Sequence, residues 1–140
     1  MPKNLAPIFF FAAAPALAAL SACAPIIASS CPIGQQAAVQ DLLYFGTDKP
    51  IEHVTPEDWN QFLGETVTPR FPEGFTTWQA SGQWNSSSGT IIREPSHVLS
   101  LVHPESATAE KSIEELVASY KERFHQEAVL RVSARVCISM

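Results

Sequence analysis

The chain has 140 residues, 9 Lys and Arg against 14 Asp and Glu, a formal charge of −5 at neutral pH and 46% hydrophobic residues. That balance argues against a broadly basic nucleic-acid binder, and the size admits one domain around one core. Neither HExxH, nor a glycine-rich phosphate loop, nor a nucleophile elbow occurs, so no motif names a reaction, a cofactor or a metal.

Lys3 is followed by an apolar stretch from Leu5 to Leu20 without a charge, which reads as the h-region of an export signal. It is too short for a membrane span, and Pro7 and Pro15 would interrupt a helix there. Leu20-Ser21-Ala22-Cys23 closes the stretch and resembles a bacterial lipobox: a branched apolar residue, two small ones and a cysteine. The resemblance implies removal of residues 1–22, lipidation of Cys23 and a stable anchor of several acyl chains. Ala24 stands where an inner-membrane retention signal would usually carry aspartate. The expected location is therefore the periplasmic face of the outer membrane. Losing Lys3 with the signal takes the formal charge from −5 to −6.

Cys31 and Cys137 are then left in an oxidising compartment, and a disulfide between them is expected. Residues 23–38 read as a lipidated tether and 39–140 as the domain. From Cys23 to Cys31 the leash reaches at most about 28 Å, which holds the domain close to the bilayer.

Val39 to Gly46 reads as a first, buried strand. Thr55-Pro56-Glu57-Asp58 opens a helix with an N-cap threonine and a first-turn proline, and Trp59, Phe62, Leu63 and Val67 form its core stripe. Phe75 to Asn85 and Thr90 to His103 make a hairpin around Ser86-Ser87-Ser88-Gly89, with Pro95 expected to mark either a bulge or the point where regular pairing begins. A second helix opens near Ser106, with Ile113, Leu116, Val117, Tyr120 and Phe124 at helical spacing. Leu130 to Ser139 alternates apolar and polar residues as a last strand. The order βαββαβ is the ferredoxin-like α+β arrangement, a four-stranded antiparallel sheet with two helices on one face. Its usual strand order, 4-1-3-2, sets the last strand beside the first and brings Cys137 within reach of Cys31.

Leu43-Tyr44-Phe45-Gly46, Thr68-Pro69-Arg70-Phe71-Pro72, Gly82-Gln83-Trp84, Arg93-Glu94-Pro95-Ser96, and Tyr120-Lys121 with Arg123-Phe124 and Gln126-Glu127 together resemble a family of small exported bacterial domains catalogued only as a domain of unknown function. The resemblance runs from about Leu43 to Cys137, with Ala128 where a serine is expected. It implies export and fold and carries no activity.

Candidate binding residues are Trp84, Arg93, Glu94, His97, Arg131 and Arg135. Arg131 and Arg135 are expected to project from the open sheet face, away from Leu130, Val132 and Val136. Trp84, Arg93, Glu94, Ser96 and His97 gather on the hairpin, where an ion pair from Glu94 to Arg93 or Arg131 is one reading and an acid/base group the other. His97 and His103 lie too far apart along one strand to share a metal. Two functions follow: a non-catalytic binding or interaction domain for an envelope protein or small ligand, or a small-molecule enzyme whose pocket forms by dimerisation of the sheet faces.

Overall fold

The computed structural model describes residues 31–48 and 53–140. The export signal, Cys23 and the tether up to Ser30 lie outside the described residues.

Four antiparallel strands and two helices follow the expected ferredoxin-like order. They are β1 (Gln36–Gly46), α1 (Pro56–Phe62), β2 (Thr76–Asn85), β3 (Ile91–His103), α2 (Ala107–Phe124) and β4 (Leu130–Ile138). The sheet runs β2-β3-β1-β4, so β1 is central and pairs with both β3 and β4. β1 begins at Gln36 rather than Val39, because its first residues pair with the end of β4, Gln36 opposite Ile138 and Ala37 opposite Cys137. Cys31 and Cys137 are joined by a disulfide with Cα atoms 5.5 Å apart.

Local chemistry explains the helices. Thr55 Oγ1 accepts from the Asp58 N–H and Asp58 Oδ2 accepts from the Thr55 N–H, both at 3.1 Å, a reciprocal cap that fixes where α1 starts. α1 runs on into a π-helical turn, Leu63–Val67, closed by Thr68 N–H donating to the Leu63 carbonyl at 2.8 Å. The wider turn keeps Phe62 and Val67, five positions apart, in one core. Ser106 caps α2 at one end, and His125 in the left-handed conformation, φ 53°, closes the other.

Leu43 and Phe45 on β1, Leu99 and Leu101 on β3, and the inward faces of both helices make the core. Phe45, Trp59, Phe62, Tyr120 and Phe124 meet in it at ring separations from 4.5 to 6.2 Å. The Tyr120 hydroxyl donates to the Gly46 carbonyl at 2.8 Å, tying α2 to the end of β1.

Two expectations are corrected here. Pro95 makes no bulge, since β2 and β3 stay in unbroken register with Pro95 opposite Ser81, but it does stand where β3 begins to pair with β1, at Ser96 opposite Gly46. The Pro95 carbonyl accepts from Thr47 Oγ1 at 2.7 Å on the side where β1 has already ended, so its missing N–H costs no ladder bond. Arg131 and Arg135 lie on the helix side, and Leu130, Val132 and Val136 on the open side. Arg131 stands opposite Leu43 and Arg135 opposite Val39, both buried beneath the helices, and directly paired residues share a face.

Candidate functional site

The pleat sorts the candidate residues into three places. Trp84, opposite Ile92, and Glu94, opposite Gly82, share the open face. Arg93 and His97 take the other face of β3, and Arg131 and Arg135 lie on β4 beneath the start of α2.

On the open face the Glu94 side chain is 7% exposed. Its Oε1 accepts from the Trp84 indole N–H at 2.8 Å, and its Oε2 accepts from the Asp48 backbone N–H at 2.7 Å. The anticipated ion pair to Arg93 or Arg131 does not form, since Arg93 Nε donates to Gln83 Oε1 at 2.8 Å and Arg131 is held elsewhere. The carboxylate fits because position 46 is glycine: a β-carbon there would stand 2.5 Å from Glu94 Oε1. Burial first, then the charges of Glu94 and Asp58, push the Tyr120 phenol well above its ordinary range, so it keeps the proton it donates to Gly46.

Glu94 lines a cavity of about 670 Å³ that also takes in Tyr44, Gly82, Trp84, Gln126 and Leu130. It opens where β4 begins beside Tyr44 and the β2–β3 hairpin runs on past the end of β1. The loop between α2 and β4 walls the far side. Gln126 Nε2 donates to the Asp48 carbonyl, and Ser87 Oγ at the hairpin tip donates to Glu127 Oε1 at 2.9 Å. Ala128 is also part of the lining. Around the cavity mouth the open face is apolar: Trp78, Val102, Leu130 and Val132 are 43–61% exposed.

His97 stacks on Trp59 with ring centres 4.4 Å apart and planes 6° from parallel, and burial pushes its imidazole down towards the neutral form. It lines an adjoining cavity of about 440 Å³ with Thr47, His53 and Ser81, the last of which borders both. His97 and Glu94 therefore serve different cavities.

Arg131 belongs to a charge cluster around buried Asp41 that the sequence pattern did not show. Asp41, fully buried, accepts from Arg131 Nε at 2.7 Å and pairs with His103 Nε2 at 2.7 Å, while Glu110 Oε2 accepts from Arg131 at 2.8 Å. Burial works to raise the Asp41 pKa, but hydrogen bonds from Arg131, His103 and Ser133, with the charge of Arg131, hold it below the usual carboxylate range. Arg135 pairs with Glu105 at 2.6 Å on the surface. The readable signal was the lone acid, Asp41, at a core position of β1. Among the described residues no group of three or more His, Cys, Asp or Glu is placed to hold a metal, and no helix is long and apolar enough to cross a membrane.

Strand order, helix placement and an apolar open face define a small ferredoxin-like α+β domain. The chain belongs to the family described as protein of unknown function (DUF3574), which matches residues 40–140. A comparison with curated proteins finds no match. Among solved structures, a phage SAM lyase in complex with S-methyl-5′-thioadenosine is similar, at 17% identity and TM-score 0.56, covering 74% of this chain and 90% of its own. CutA from Synechococcus elongatus, complexed with Bis-Tris, is similar at 13% identity and TM-score 0.49, covering 76% and 88%. At these identities the likeness is one of fold.

Proposed function

We propose that the open sheet face is a small-molecule site, closed by the same face of a second copy, with Glu94 as its acid/base or ligand-holding group. The observation that carries this is the cavity beside Tyr44, Trp84 and Leu130, with one buried carboxylate in an otherwise largely apolar lining. Its size and make-up suit a small organic ligand. The surrounding face supports pairing of copies, because Leu130, Val132, Val102 and Trp78 stay exposed on it. A fold shared with a phage lyase is compatible with such a site, and S-methyl-5′-thioadenosine is a reasonable first probe.

The domain is proposed to be exported and held by lipid on Cys23 at the periplasmic face of the outer membrane, with residues 1–22 removed. The Cys31–Cys137 disulfide supports an oxidising compartment. Labelled palmitate should enter the full chain in a bacterial host and fail to enter Cys23→Ser; equal labelling would overturn the anchor.

Native mass spectrometry of the exported Cys23→Ser chain, without reductant, tests the site. The expected result is a dimer carrying a small molecule that Trp84→Ala no longer retains; an empty monomer at cellular concentrations would overturn it. A second reading, a non-catalytic adaptor for another envelope protein, is favoured by one observation. Trp78, Val102 and Val132 extend the apolar face beyond the cavity lining.

A further inference from the structure

Two carboxylates are buried in this sheet, and they are treated differently. Asp41 is paired with the Arg131 guanidinium and with the His103 imidazole. Glu94, 7% exposed, receives only neutral donors, the Trp84 indole and one backbone N–H, and forms no ion pair with a cationic side chain among the described residues. The arginines of the sheet are engaged elsewhere: Arg93 by Gln83, Arg131 by Asp41 and Glu110, Arg135 by Glu105. A desolvated carboxylate without a counter-ion is costly, and the cost is recovered when a positive group enters beside it. Here the space beside it is a cavity of about 670 Å³ lined by the aromatic rings of Tyr44 and Trp84, side chains whose faces attract cations.

We infer that the ligand of the open-face cavity is an organic cation, an ammonium or sulfonium compound whose positive group sits against Glu94 beside Tyr44 and Trp84. This rests on the small-molecule reading above and names its chemical class. An anion would meet Glu94 with like charge, and a neutral ligand would leave the carboxylate uncompensated. A hard metal ion wants several oxygen ligands, and the described residues offer no such group.

The test is calorimetric titration of the Cys23→Ser chain with choline and with its uncharged carbon isostere, 3,3-dimethylbutan-1-ol. Choline should bind roughly tenfold or more tightly than the isostere, and Glu94→Gln should abolish the difference. The amide that Glu94→Gln introduces would offer one acceptor oxygen to two donors and could loosen the fold, so Tyr44→Leu is the second variant. It leaves the donors to Glu94 in place and should weaken choline several-fold relative to the isostere. Equal binding of the two probes, or no choline binding, while the chain still retains a small molecule in native mass spectrometry, overturns the cation class and spares the site. No binding together with an empty chain overturns both. Discrimination that survives in Glu94→Gln removes Glu94 from the assignment.

Discussion

A β-carbon at position 46 would stand 2.5 Å from Glu94 Oε1, so Gly46→Ala must expel the carboxylate or shift the end of β1. We expect a loss of about 1–3 kcal/mol in urea unfolding. Gly64→Ala, where nothing lies within 4 Å of the new methyl, should be neutral or slightly stabilising in the same assay. Asp41→Asn removes the charge that holds Arg131 and His103 and should cost about 3–5 kcal/mol at neutral pH. The folded Asp41 pKa lies below its unfolded value, so its contribution is full above about pH 4 and fades as pH falls through the folded pKa. Denaturation curves for Asp41→Asn and the parent protein should therefore converge on acidification; a constant gap would mean that Arg131, His103, Ser133 and Glu110 act there through packing. Glu94 could be singled out as a candidate from the sequence, but its partners could not be read. A carboxylate next to Arg93 in sequence suggests a salt bridge, whereas the strand pleat sends the two side chains to opposite faces and gives Glu94 an indole and a backbone N–H.

At the scale of elements, what could be read was what local chemistry decides. Thr55-Pro56 and Ser106 announce both helix starts, because cap donors and acceptors lie within three residues of each other. The facing of β4 could not be read, since alternation fixes which residues share a face and leaves open which face turns inward. Only the register against β1, Arg131 opposite Leu43, decides it. The same limit applies to Pro95, where the sequence shows a proline in a strand but not that β1 has ended beside it. The pairing of Cys31 with Cys137 was within reach, because the strand order set the chain's last strand beside its first. Those cysteines are 106 positions apart, and Cys31→Ser with Cys137→Ser should lower unfolding stability by about 2–5 kcal/mol; no change under oxidising conditions would mean the bond is not made in the cell.

For the whole molecule, one layer of helices leaves one sheet face uncovered, and Trp78, Val102, Leu130 and Val132 stand exposed on it where a solvated face would carry charge. Val132→Lys places a cation in that face, 46% exposed in the single chain, without disturbing the core on the other side. Sedimentation velocity should show the variant as a monomer with the parent's thermal melt. A dimer that survives the substitution would move the interface elsewhere. The disulfide also bears on which way a lipid-held domain would stand. Cys31 and Cys137 clamp the end of the sheet where β1 starts and β4 finishes, whereas the Glu94 cavity lies at the Gly46 end, about 30 Å along the strand. With the lipid on Cys23 as proposed, the clamped end faces the bilayer and the cavity mouth looks out into the aqueous space. A ligand would then arrive by diffusion through water, and hydrophobic molecules dissolved in the membrane would have no direct route to it.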